Sequence, residues 1–107
     1  MNDNARFLSG PISSDPGYRV KFNNAAKYYE RQGYVVLNPA VLPPGLNYED
    51  YMDICRTMQD VCGVMAMLPG WEDSPGAVRE YHHGKEIGQK ILIAPQISIR
   101  YQEPLEA

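Results

Sequence analysis

Val64-Met65-Ala66-Met67-Leu68-Pro69-Gly70-Trp71-Glu72-Asp73-Ser74-Pro75-Gly76-Ala77-Val78-Arg79-Glu80 joins an apolar run, a Pro/Gly break and a capped helix start. The continuous apolar run Val64 to Leu68 is what a strand with helices over both faces requires. Ser74 suits a helix N-cap, and Pro75 suits the first helical position, where an N–H has no intrahelical partner. The helix is expected to run to about Gln89. Glu80 then lies about a turn and a half in, with the small residues Ala77 and Gly76 three and four places before it. That spacing leaves its carboxylate open to approach along one helix face. A strand–turn–helix junction with free amides and one inward acid suits an anionic ligand and a carboxylate that does chemistry.

Outward from this stretch the chain alternates short apolar runs with amphipathic ones, the signature of βαβ units and a parallel sheet. Arg6-Phe7-Leu8-Ser9 reads as a first strand ended by Gly10-Pro11. Residues 18–32 read as a helix, with Phe22, Ala25, Ala26 and Tyr29 on one face and Gly33 as its stop. Tyr34 to Leu37 reads as a second strand cut by Asn38-Pro39, followed by a Pro- and Gly-bearing loop. Asn47 is expected to cap a helix with Glu49 and Asp50 in its first turn and Tyr51, Ile54, Cys55 and Met58 as its apolar stripe. Lys90 to Ala94 reads as a fourth strand, and Ile97-Ser98-Ile99 is open to a fifth. The expectation is a single flavodoxin-like or Rossmann-like doubly wound α/β domain, with a four- or five-stranded parallel sheet and helices on both faces. Its core spans about 5–94 and its tail 95–107. In such sheets ligands bind outside the carboxyl ends of the strands, near the point where strand order reverses. That rule gathers Ser9-Gly10-Pro11, Asn38-Pro39 and Pro69 to Ser74 on one rim.

The 107 residues suit one domain with a modest core. A net charge of −3 without a Lys/Arg cluster argues against a nucleic-acid polymer as partner. The longest apolar run, Val61 to Pro69, is too short to span a bilayer, so no membrane is expected. Residues 1–10 lack the basic-then-apolar order of a signal peptide, which makes a cytoplasmic protein the expectation. Cys55 and Cys62, placed on one helix, would lie roughly 10 Å apart, too far for a disulfide. Free thiols in a reducing compartment follow.

Three segments together carry a resemblance. Phe7-Leu8-Ser9-Gly10-Pro11-Ile12, Gly33-Tyr34-Val35-Val36-Leu37-Asn38-Pro39, and Leu68 to Ala77 with Glu80 resemble the nucleoside 2-deoxyribosyltransferase-like superfamily. The string LPGWxxSxGAxxE is most similar to a short, phage-common branch of unassigned function. The resemblance implies a nucleoside or nucleotide ligand and cleavage or transfer of an N-glycosidic bond. Glu80 matches the nucleophile that attacks the anomeric carbon, in the two-carboxylate logic of retaining glycosidases. Ser74 matches the position that holds a 5′-phosphate or hydroxyl. The helix N-terminus is expected to keep Glu80 ionised, as a nucleophile requires. A homo-oligomer is also implied, since superfamily sites are often completed by a neighbouring subunit. Departures are equally specific: Cys55 and Gly63 stand where family members carry aspartates, and Phe7 where a tyrosine is common. A helix turns a side chain roughly 200° over two residues, so Asp53 is not expected to replace the acid at 55.

The expected site is therefore Glu80 as catalytic residue, with Ser9, Gly10, Pro11, Asn38, Trp71, Ser74 and Gly76 binding substrate. Trp71 has two readings: stacking on a base at the rim, or packing within the subunit or against another. Cys55 reads as a core residue rather than a reactive thiol. Some of the eight tyrosines, which include Tyr28, Tyr29, Tyr48 and Tyr51, are expected to line a pocket or subunit contact. His82 and His83 point roughly 100° apart on a helix and cannot ligate one metal together; His83 is expected to be exposed. No metal and no cofactor are expected. The alternative to an enzyme is a non-catalytic nucleotide-binding or sequestering protein that lost the aspartates.

Overall fold

A computed structural model describes residues 1–96. Four strands and three helices alternate as β1 (Asn2–Ser9), α1 (Tyr18–Glu30), β2 (Val35–Leu37), α2 (Tyr48–Asp60), β3 (Cys62–Met67), α3 (Pro75–Glu86) and β4 (Lys90–Ile93). Short 3-10 turns at Pro39–Val41 and Trp71–Asp73 follow β2 and β3. All described strands are parallel, in the order β2-β1-β3-β4. This is the doubly wound α/β architecture expected. The candidate fifth strand at Ile97-Ser98-Ile99 lies outside the described residues.

Alternation along the strands divides the core in two. Leu8 and Ala66 face α1, where Phe22, Ala25, Ala26 and Tyr29 cover them. Phe7, Met65 and Met67 face the other way, against Cys55 of α2 and Ala77 of α3. All six residues of β3 are buried, as its unbroken apolar run requires for the second strand in from an edge. Asn47 Oδ1 accepts the Asp50 amide at 2.8 Å and starts α2, and Ser74 Oγ accepts the Ala77 amide at 3.3 Å and starts α3.

Several boundaries differ from the sequence reading. β1 begins at Asn2 rather than Arg6, because the Asn2 amide donates to Val61 O at 3.0 Å and Asn2 pairs with Cys62. The polar Asn2-Asp3-Asn4 run hides that pairing. α1 stops at Glu30, α3 at Glu86, and Cys62 opens β3 instead of continuing a helix with Cys55. Both cysteines are buried free thiols. Burial pushes the Cys62 thiol up to about 11 and the Cys55 thiol up to about 12.

A buried polar cluster ties α2, α3 and the entry to β4. Gln59 Nε2 donates to Glu80 O at 2.8 Å and to Gln89 Oε1 at 3.0 Å. Gln89 Nε2 donates to Gln59 O at 3.0 Å and Cys62 O at 2.7 Å. These contacts fix the Glu80 turn of α3 against α2. His83 is not exposed as expected: its Nε2 lies 2.6 Å from Asp60 Oδ1, and its side chain is 14% accessible. That pair clips the C-terminal ends of the same two helices.

Gly63 has a backbone reason to be glycine. A Cβ there would stand 2.8 Å from the Asp3 Cα and 2.9 Å from the Asn2 carbonyl oxygen, both main-chain atoms of β1. The register irregularity between Asn2 and Arg6 brings the strands this close. Gly63→Asp is therefore expected to destabilise the fold by about 2 kcal/mol, read as a lower urea midpoint. An unchanged midpoint would show that β1 yields easily at this point.

Candidate functional site

The strand order reverses between β1 and β3, and the loops leaving their carboxyl ends bound a crevice. Helices α2 and α3 lie over it on one face. Glu80 points inward from α3 and is 9% exposed. The fully buried Ser9 hydroxyl, at the end of β1, donates to Glu80 Oε1 at 2.6 Å. Among the described residues no hydrogen bond reaches Glu80 Oε2.

Burial pushes the Glu80 carboxyl up to about 7, although the Ser9 hydroxyl and then the Arg79 and Arg56 guanidinium groups pull it down. Burial thus opposes the ionisation expected of Glu80 from the helix N-terminus. The dipole acts within the first turn, and Glu80 lies beyond it, largely buried against Ser9 at the end of β1.

Glu80 forms part of a small cavity of about 90 Å³ with Gly10, Tyr48, Tyr51, Met52, Ser74 and Gly76. A wider hollow of about 280 Å³ under the 42–46 loop adjoins it through Ile12, Tyr48 and Tyr51. Ser74, Gly76 and Ala77, at the start of α3, line the smaller cavity. Pro75 has no N–H and Ala77 is taken by Ser74 Oγ, which leaves the Gly76 amide for a ligand. Because Ser74 Oγ accepts there, its hydroxyl proton remains available to donate. Met52 and Glu80 also line a second, polar cavity of about 170 Å³ with Asp53, Arg56 and Arg79.

The structure brings Ser9, Gly10, Ser74 and Gly76 to Glu80 and leaves three expected residues elsewhere. Ser9 is too deeply buried to meet a ligand, so it serves Glu80 instead. Gly10 lines the cavity, and a Cβ there would also strike Leu68 Cβ at 2.8 Å. Pro11 belongs to a separate cavity with Phe22, Leu68 and Pro95, on the α1 side. Asn38 ends the outer strand β2; its Oδ1 caps the following turn at Ala40, and its Nδ2 donates to Asn23 of α1. It lines a hollow of about 500 Å³ over α1 and β2, larger than the Glu80 cavity but without Glu80 or a helix start. Trp71 stacks on Tyr81 of α3 at 4.8 Å between ring centroids and packs against the core, the second of its two readings.

Tyr48, Tyr51 and Met52 are site residues that sequence reasoning did not single out by position, although pocket-lining tyrosines were anticipated. Their i, i+3, i+4 spacing gives one face of α2, but only tertiary packing shows that Gly76 opposes it. Arg56 and Arg79 gave no sequence signal, since each looks like a solvated helix cation. Cys55 lies fully buried where the acid was expected, close enough to Glu80 for the carboxylate's charge to help raise its pKa. Among the described residues no group of three His, Cys, Asp or Glu is placed to hold a metal ion. No helix among them is long and apolar enough to cross a membrane.

No curated protein and no solved structure matches the sequence. A family model does match, over residues 4–93, and so covers all of the sheet but the first two residues of β1, together with the Glu80 cavity. The chain belongs to the family described as Domain of unknown function (DUF4406).

Proposed function

We propose that this protein binds a nucleoside or nucleotide at the carboxyl ends of β1 and β3 and cleaves or transfers its N-glycosidic bond through Glu80. The observation that carries the reading is one buried carboxylate, tethered at Oε1 and unbonded at Oε2, sharing a cavity with a helix start. The resemblance of the Leu68–Glu80 string to nucleoside 2-deoxyribosyltransferase-like proteins supplies the substrate class. In the proposed reaction the Gly76 amide and Ser74 hydroxyl hold the 5′-phosphate or hydroxyl. Ionised Glu80 attacks the anomeric carbon; its C–O bond forms as the C–N bond breaks, and the base departs with the bonding pair and takes a proton from solvent water. Water or an acceptor then displaces the carboxylate and restores the enzyme. Phe7 lacks a hydroxyl, but Ser9 lies two residues along on the same strand face and orients Glu80.

A second reading rests on Cys55 and Gly63, which leave Glu80 as the one carboxylate lining its cavity. In that reading the pocket holds a nucleotide without cleaving it. Chromatography after incubation with deoxynucleosides and deoxynucleoside 5′-monophosphates separates the two. Free base supports the enzyme; intact ligand bound equally well by Glu80→Gln supports the binding protein. Absence of nucleotide binding contradicts both. The homo-oligomer implied by the resemblance is part of the same proposal, and light scattering of the purified protein tests it.

Gly76→Ala bears on the pocket itself. The added Cβ would make ordinary contacts of 3.6 Å with Met52 Sδ and Tyr48 Oη, so the fold accommodates it. The melting temperature is expected to hold or rise slightly, since alanine favours helix by about 1 kcal/mol or less here. Nucleotide affinity should fall about tenfold or more, because the methyl occupies the small cavity in front of the free amide. Unchanged affinity in a calorimetric titration would place the ligand elsewhere.

A further inference from the structure

The polar cavity that Glu80 lines is unlike the smaller pocket that it also lines. Apart from Met52, its lining is charged: Asp53 and Arg56 from α2, and Arg79 and Glu80 from α3. Arg56 is exposed and, among the described residues, has no hydrogen-bond or ion-pair partner. Arg79 pairs with Glu49, 3.6 Å away, and hydrogen-bonds to the Tyr48 side chain, with its guanidinium carbon 5.7 Å from that ring's centre. Two guanidinium groups from neighbouring helices thus border one cavity of about 170 Å³. Their planar forks match the oxygens of a phosphate-class anion.

We propose that this interhelical cavity is a subsite for a phosphate-class oxyanion, held by Arg56 and Arg79 and coupled to the protonation of Glu80. The coupling follows from charge. With Glu80 ionised, three carboxylates (Asp53, Glu80 and the Glu49 paired with Arg79) oppose the two arginines; with Glu80 protonated only two do, so an anion meets one negative charge fewer. The anion in turn favours the protonated acid, by reciprocity of linked equilibria. Of the other titratable groups around Glu80, burial raises the Tyr51 phenol and the Cys55 thiol, and neither loses its proton between pH 6 and 8. Glu49 pairs with Arg79, and Tyr48 hydrogen-bonds to it. On the nucleophile reading above, on which this consequence rests, an occupied subsite silences the enzyme by keeping Glu80 neutral.

Sulfate is the probe, because it keeps two charges throughout this pH range whereas phosphate itself titrates. Calorimetric titration at fixed ionic strength should show one sulfate site that weakens about five- to tenfold from pH 6 to pH 8. Arg56→Gln and Arg79→Gln should each weaken it about tenfold at pH 6, and Glu80→Gln should abolish the pH dependence. Competition by a nucleoside 5′-monophosphate but not by the nucleoside would identify the anion as a nucleotide's phosphate; competition by neither would identify a free oxyanion. No sulfate binding at pH 6, or binding lost in Ser74→Ala and untouched by both arginine variants, would overturn the subsite. A pH dependence surviving in Glu80→Gln would overturn the coupling. None of these readouts needs a glycosidic bond to break, so a protein that releases no base can still bind sulfate as described.

Discussion

Glu80→Gln is expected to stabilise the protein by about 3 kcal/mol at pH 8 and by less than about 1 kcal/mol at pH 5. The Glu80 carboxyl has its pKa raised from 4.5 to about 7 by burial, so the folded chain holds this proton more tightly than the unfolded chain does. Stability from that preference is fully present below pH 4.5 and is lost as pH rises through 7. Glutamine keeps the size of the side chain and an oxygen to accept from Ser9, but carries no charge into the crevice. The stability gap between the two proteins therefore opens across the window from 4.5 to 7. In melting temperature the difference at pH 8 should be on the order of 10 °C. Equal melting curves at both pH values would mean that Glu80 is well hydrated and ionises without penalty. A buried acid that costs the fold stability at neutral pH is what a working site retains and a purely structural one does not.

The same substitution should remove base release by about a thousandfold or more, if the N-glycosidic reading holds. A nucleophile must be ionised, so the wild-type rate should climb with pH and level off above about 7, the value set by burial. An acid in the same place would give the opposite slope, which makes the sign of the profile informative. Ser9→Ala removes the hydroxyl that most strongly offsets burial, and should move the half-rise to higher pH. Variants that fold and melt normally while losing turnover would separate chemistry from stability. Turnover unaffected by Glu80→Gln would exclude Glu80 as the nucleophile.

Local signals account for what the sequence makes legible. Ser74-Pro75 announces the α3 start because cap and first-turn chemistry are decided within a few residues, and Asn47 does the same for α2. The unbroken apolar run of β3 similarly foretells a strand buried on both faces. What escapes depends on which elements meet. Tyr48 and Gly76 oppose one another only because α2 and α3 pack side by side, and Arg56 joins Arg79 at one cavity for the same reason. Trp71 shows the limit within one segment: a rim indole suits a base, yet Tyr81, ten residues on, claims its face. Asn38 carries a plausible rim signature, but its strand sits at the far edge of the sheet, and α1 takes the side chain. The charge of Glu80 is the most consequential such case. Its distance from the helix start can be counted along the chain; the strand end it is buried against cannot.

Mass spectrometry of the protein after incubation with deoxynucleoside 5′-monophosphates, acid-quenched within the first turnovers, tests the central claim most directly. The account predicts free base in solution and a sugar-phosphate adduct on the peptide containing Glu80, absent from Glu80→Gln. Intact nucleotides with no adduct, across all four bases and from pH 6 to pH 9, would contradict it.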